Sequence, residues 1–168
     1  MFEKGEYIIY GNSGVCEVQD YLKADGEHRT YYVLAPVGSK GSTIFSPVDN
    51  QKVSMRKVMT KEEADALLKG ISGEEEMVIR DARTQEQQYK EVLQSGNSTD
   101  ALRLLRALYK RKKQREAAGR RVTAIDEKYY FMAKGNLLNE LAIALNVKVE
   151  EAERLLAEQI KKGEREQQ

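Results

Sequence analysis

The chain has 168 residues, enough for one ordinary domain or two small ones, and its 40% apolar and 33% charged content reads as a soluble, helix-rich globular protein. No apolar run approaches the ~20 residues that a membrane helix needs, and Met1-Phe2-Glu3-Lys4 has no signal-peptide apolar region. A single cysteine, Cys16, and a single histidine, His28, exclude an internal disulfide and leave no zinc set. A reducing, cytoplasmic location without metal or cofactor is therefore expected.

The first 58 residues are β in character and carry seven charges of each sign. Glu6-Tyr7-Ile8-Ile9-Tyr10 is aromatic and β-branched, and Gly11-Asn12-Ser13-Gly14 turns the chain into the alternating Val15-Cys16-Glu17-Val18. Asp25-Gly26 marks a hairpin to Thr30-Tyr31-Tyr32-Val33-Leu34. A turn at Ser39 to Gly41 leads into Ser42-Thr43-Ile44-Phe45-Ser46. Pro47 ends that strand or puts it at an edge, because proline donates no ladder hydrogen bond. Val53-Ser54-Met55 is a candidate fifth strand. Five short strands in so few residues predict a small, bent antiparallel barrel of SH3 or Tudor type with an edge open to a partner strand.

Residues 59–163 read as a bundle of about five helices, followed by a polar tail over 164–168. Thr60-x-x-Glu63 is a capping box leading to Gly70 as a C′ residue. Ser72-x-x-Glu75 is another, predicted to open a helix with Val78, Ala82, Tyr89, Val92 and Leu93 on one stripe and Gly96 at its end. Asn97 to Asp100 caps a third helix through Leu104, Leu105 and Leu108, which Gly119 stops. Thr123 caps a fourth, with Tyr130, Ala133, Leu137, Leu141 and Leu145. A fifth carries Val149, Ala152, Leu155, Leu156 and Ile160. The overall class is α+β, with stripes narrow enough to require a bundle.

Charge is concentrated in one part of this bundle. Residues 101–134 hold eleven Lys/Arg against Glu116, Asp126 and Glu127, a balance of +8 in a chain of +1, whereas 59–100 stand at −5 and 135–168 at −2. The basic run Lys110-Arg111-Lys112-Lys113-Gln114-Arg115, with Arg120, Arg121 and Lys128 beyond the turn, suggests a polyanion partner. The competing explanation is a solvated helix end complementing its dipole. Within this block Arg111, Lys112, Arg115, Arg120 and Arg121 are the stronger choices for phosphate contact.

No catalytic constellation emerges, so no enzyme is expected. His28 sits in a hairpin loop, and Cys16, on an alternating strand, reads as a core residue. Gly11-Asn12-Ser13-Gly14 lacks the Lys-Ser/Thr and the helix of a phosphate loop. The acidic cluster Glu74-Glu75-Glu76 is explained by favourable charge at a helix N-terminus. Leu141 to Leu156 has helix-turn-helix spacing, but Glu150, Glu151 and Glu153 would face phosphates, and the pattern reads as helix packing.

Several motifs together resemble the CarD/CdnL family of bacterial transcription regulators. They are Gly5-Glu6-Tyr7-Ile8-Ile9-Tyr10-Gly11-x-x-Gly14-Val15, Tyr32-Val33-Leu34, Ile44-Phe45-Ser46-Pro47 and Tyr89-Lys90-x-x-Leu93-x-Ser95-Gly96. The resemblance covers nearly the whole chain in the same order, and the first 58 residues alone also resemble the polymerase-binding domain of the transcription-repair coupling factor. It implies a Tudor-like domain that binds the β subunit of RNA polymerase, with contacts at Lys23, Thr43, Ile44, Phe45, Ser46 and Pro47. It also implies a helical domain lying on promoter DNA without sequence preference, with contacts at Gln85, Gln88, Lys90 and Lys128 beside the basic hairpin, and stabilising the open complex. Two departures stand out. Gln85 occupies the place of the family's wedging tryptophan, and Phe45 stands where some relatives present an arginine. A protein adaptor without DNA contact and an operator-specific helix-turn-helix binder are the alternatives.

Overall fold

The structure, a computed structural model, describes residues 1–26, 28–73 and 75–166, so Glu74 of the acidic cluster lies outside the described residues. Strands β1 (Tyr7–Tyr10), β2 (Val15–Lys23), β3 (Thr30–Pro36), β4 (Ile44–Pro47) and β5 (Met55–Lys57) come first. They form one antiparallel sheet in the order β4-β3-β2-β1-β5. Helices α1 (Lys61–Lys69), α2 (Gln85–Ser95), α3 (Ser98–Ala117), α4 (Ala124–Leu145) and α5 (Val149–Glu166) follow. The α+β class and the division into a sheet followed by helices are as expected from the sequence. No described helix is long and apolar enough to cross a membrane.

Alternation along the strands builds the sheet's core from Ile8, Cys16, Val18, Tyr32 and Leu34. Ile8 lies opposite Cys16, and the register slips between Val18 and Asp20, the mark of a bulge that bends β2. Phe2 closes one end of this core. Its N–H donates to the Tyr32 hydroxyl at 3.0 Å, and the Tyr21 hydroxyl donates to its carbonyl. Cys16 is fully buried, and burial pushes its thiol from an ordinary 9.0 up to about 11, so it is a core residue.

Two strands begin later than the sequence suggested. β4 starts at Ile44 rather than Ser42 and includes Pro47, and β5 covers Met55–Lys57 rather than 53–55. At β5 the reason is a close approach. Val53 packs over Gly11, where a Cβ would lie 2.8 Å from its Cγ1, while Gly11 N–H donates to the Ser54 carbonyl at 2.8 Å. Backbone pairing with β1 follows only after that contact.

Three helix starts carry the anticipated caps. Thr60 Oγ1 accepts from Glu63 N at 3.1 Å, Asn97 Oδ1 from Asp100 N at 3.0 Å and Thr123 Oγ1 from Asp126 N at 3.2 Å. The Ser72 capping box does not open a helix. Residues 75–80 are irregular, Val78 is 83% exposed, and α2 begins only at Gln85. An Asx turn at Asp81 takes the starting role, its Oδ1 accepting from Arg83 N and Thr84 N at 3.1 and 3.2 Å. Long side chains hold the preceding backbone. Arg106 donates to the Ile71 carbonyl at 2.6 Å, Arg103 to Glu75 at 2.8 Å and Gln88 to Val78 at 2.9 Å. Gly70 ends α1, but with right-handed φ of −84° rather than as a left-handed C′ residue.

Helix α4 is the axis of the helical part. On one side Ala133 and Tyr129 join Tyr89, Leu93, Leu104 and Leu108 from α2 and α3. On the other, Leu137, Leu138 and Leu141 pack with α1, α3 and α5. Ala142, Ala152 and Leu156 lie in this second cluster, which is the packing reading of the helix-turn-helix-like stretch. Helix α5 runs past Gly163 to Glu166, into the tail expected over 164–168, whose residues 167–168 lie outside the described residues. Gly163 is buried against Ser72, and a Cβ there would approach the Ser72 Cβ to 3.1 Å.

The two parts meet across β1, β5 and α4. Gly14, at φ +70°, turns β1 into β2 so close to α4 that a Cβ would lie 2.5 Å from Asn136 Oδ1. Glu140, on the apolar face of α4, is buried and accepts from both terminal nitrogens of Arg56 at 2.6 and 2.8 Å and from Met59 N at 2.9 Å. Arg56 Nε donates in turn to the Gly96 carbonyl at 2.7 Å. One bidentate pair thus ties β5 to α4 and to the α2–α3 turn.

Candidate partner-strand and nucleic-acid interfaces

Strand β4 is an edge, paired only with β3 through Tyr31↔Pro47, Tyr32↔Ser46, Val33↔Phe45 and Leu34↔Ile44. Its side chains alternate. Ser46 is buried, its hydroxyl accepting from Asn50 Nδ2 at 3.0 Å, and Ile44 leans on the sheet's core, whereas Phe45 is 58% exposed. A β edge with a free backbone side and a projecting ring can accept an added strand and seat one apolar side chain of it. Thr43 precedes the edge and is exposed, and Pro47 is half-buried at its end. Lys23 is exposed opposite Thr30, so it stands at the Pro47 end of the sheet across β3. Five of the six expected contact residues, Thr43 to Pro47, therefore follow the β4 edge, and Lys23, at the end of β2, is separated from it by β3.

The basic hairpin is α3, the turn after it, and the start of α4. Gly119, at φ +72°, reverses the chain, and Arg120 N–H reaches back to the Arg115 carbonyl at 2.8 Å. Its cations divide by what they already hold. Arg103 and Arg106 bind backbone carbonyls of the 71–75 segment, Lys110 pairs with Glu76 at 2.7 Å, and Lys134 pairs with Glu153 at 2.7 Å. Lys112 and Arg121 are solvent-facing or half-buried and form no ion pair among the described residues, and the same holds for Arg120. Lys128 is exposed on α4, its Nζ 5.4 Å from the Tyr129 ring centroid. Arg115 donates through Nε to the Arg121 carbonyl at 2.8 Å, which ties α3 to the turn.

Arg111 has a different position. Its Nε lies 2.9 Å from Oδ2 of Asp126, a carboxylate only 3% exposed, and the Tyr89 hydroxyl donates to the other oxygen at 2.7 Å. Burial, then the hydrogen bond to Asp126, pushes the Tyr89 hydroxyl well above its ordinary value of 10.0. The ring of Tyr89 is fully buried, as its place on the α2 stripe implied. Arg111 is thus held by the bundle, joining α3 to α4 and α2. A buried carboxylate left without it would be strongly unfavourable.

The α2 residues are placed by the same bundle. Gln85 is 6% exposed, and its Oε1 is a buried acceptor without a hydrogen-bond partner among the described residues. A side chain in that position is not available to insert between bases. Gln88 is spent on the Val78–Arg80 backbone, donating to Val78 O and accepting from Arg80 N at 2.8 Å. Lys90 is exposed, 3.8 Å from Glu86 one turn earlier.

The sequence reading missed Asp126, Glu140 and Arg56. A signal was present for both acids. Each occupies a position on a helix stripe otherwise filled by apolar residues, and a carboxylate there requires a buried partner. Between the 76–79 segment and α3 lies a further feature, a cleft of about 470 Å³ lined by Met77, Ile79, Lys110, Arg111, Arg115 and Arg120 among others.

Residues 2–59, the sheet domain with the edge strand, match the CarD-like/TRCF RID domain. No curated protein matches the chain.

Proposed function

Because residues 2–59 match the CarD-like/TRCF RID domain, we propose that this chain is a bacterial, cytoplasmic transcription regulator that docks on the β subunit of RNA polymerase and sets its basic hairpin against promoter DNA. The observation that carries the reading is the matched domain itself, with its edge strand β4 uncovered and Phe45 exposed on it. Docking is by strand addition, in which backbone hydrogen bonds and the seated Phe45 ring together supply affinity. The protein acts by binding, not catalysis.

DNA contact rests on the cations that form no ion pair among the described residues. Lys112, Arg120, Arg121 and Lys128 flank the turn of the α3–α4 hairpin, and they neutralise phosphates without reading bases. Gln85 is buried, so no wedge is part of this account. Open complexes would be stabilised by phosphate contacts that polymerase docking delivers at high effective concentration. The Arg56–Glu140 pair makes that delivery directional, since it fixes the sheet domain to the helix bearing Lys128.

The test is promoter binding by the polymerase–regulator complex, titrated over salt. Substituting Lys112, Arg121 and Lys128 by Ala should lower the salt slope by roughly 2 to 3, at about 0.9 for each phosphate no longer neutralised. An unchanged slope would remove the DNA-contact half of the proposal and leave a protein adaptor.

A further inference from the structure

The cleft beside α3 has a construction that a phosphate clamp for duplex DNA does not need. Its volume, about 470 Å³, lies within the range of small-molecule sites, roughly 300–1,000 Å³. One wall is apolar, formed by half-buried Met77 and Ile79, which pack on the α2–α3–α4 cluster, with Ala107 at its base. The other wall is cationic, formed by Lys110, Arg111, Arg115 and Arg120, with Glu76 the only acid lining it among the described residues.

Two of these arginines are fixed in advance. Arg111 is held through Nε by buried Asp126, and Arg115 through Nε by the Arg121 carbonyl. Each therefore presents a guanidinium whose terminal nitrogens remain for a ligand, and little side-chain freedom is lost when they engage one. Arg120 has no partner among the described residues, and Lys110 is held only by exposed Glu76, a surface pair of little worth that an incoming anion would displace. The opposed apolar wall is suited to a flat, largely apolar group attached to that anion.

We propose that this cleft is a nucleotide site, with phosphate groups on Arg111, Arg115 and Arg120 and the base lying against Met77 and Ile79. The chemistry is that of one phosphate-bearing unit with an unstacked base. It comes either as a free nucleoside polyphosphate or as a splayed nucleotide of single-stranded DNA. The site shares only Arg120 with the duplex contact, because Lys112, Arg121 and Lys128 do not line the cleft. Occupancy would withdraw that one cation from the DNA-facing set.

The experiment is calorimetric titration of the full chain with ATP, GTP, inorganic pyrophosphate and a short oligothymidylate, at low and physiological salt. Saturable one-to-one binding is expected for a nucleotide or for the oligonucleotide, and which of the two binds identifies the source. Arg120→Ala and Arg115→Ala should each weaken it about tenfold or more, as loss of a charge-assisted hydrogen bond implies. Ile79→Asp, at a half-buried position, should weaken nucleotides while leaving the fold intact by circular dichroism. Lys112→Ala, outside the cleft, should leave ATP and GTP binding unchanged. Pyrophosphate binding as tightly as ATP would overturn the base contact. Absence of saturable binding by every probe, or binding indifferent to Arg115→Ala and Arg120→Ala, would overturn the site, while the salt slope set by Lys112, Arg121 and Lys128 would stand or fall separately.

Discussion

Replacing Arg56 by Met should uncouple the sheet from the helices. Its partner Glu140 has a side chain only 4% exposed, against 31% for Arg56. Removing the cation leaves a buried carboxylate with one remaining donor, Met59 N. Breaking a buried pair on one side costs about 3–5 kcal/mol. Glu140→Leu removes the charge from the buried side and leaves Arg56 near solvent and on the Gly96 carbonyl, at a cost of about 1–3 kcal/mol for the stranded Met59 N–H. The double variant should then cost less than the two single changes together, with a coupling of at least ~1.5 kcal/mol.

The assay is urea unfolding followed by two probes. Helical circular dichroism reports mainly the bundle, and labelling of Cys16, a free and buried thiol, reports the sheet. In the native protein both should give one midpoint. In Arg56→Met the Cys16 transition should move to lower urea and separate from the helical one. Additive single changes with coincident transitions would refute the argument that this pair joins the two parts.

Other outcomes follow from the same structure. Asp126→Asn should destabilise the chain by about 2–4 kcal/mol, because it removes the charge that Arg111 and Tyr89 surround, and a thermal melt reads this directly. Tyr89→Phe should cost about 1–3 kcal/mol through the unpaired Asp126 oxygen. Cys16, raised from 9.0 to about 11, binds its proton more tightly folded than unfolded. Its contribution to stability is therefore full below pH 9 and lost as pH rises toward 11, and Cys16→Ala should flatten that part of a pH–stability curve. Phe45→Glu, at an exposed position, should leave stability within about 0.5 kcal/mol of the native value while abolishing capture of polymerase.

Local chemistry explains most of what the sequence revealed. Thr60, Asn97 and Thr123 cap helices because each is followed at once by helical periodicity, and Pro47 does mark an edge strand. The Ser72 motif had both the right letters and a stripe through Val78 and Ala82, yet no helix forms there. Arg103, Arg106 and Gln88, all distant in sequence, capture the backbone that a helix would have used, and Asp81 supplies the competing turn. Charge counting located the basic hairpin, but it does not distinguish a cation facing solvent from one facing a buried acid. Arg111 and Lys112 are neighbours in the chain, yet only one meets Asp126. Arg111 follows Leu104 and Leu108 on the α3 face that packs against Tyr89 and Tyr129, whereas Lys112 has no ion pair among the described residues.

The central claim is that the sheet domain brings this chain to RNA polymerase. The most direct measurement is capture of the purified β subunit by the immobilised full chain, compared with the Phe45→Glu variant. The native chain should retain the β subunit, and the variant should lose it. Failure of the native chain to retain the β subunit, with the fold intact by circular dichroism, would contradict it.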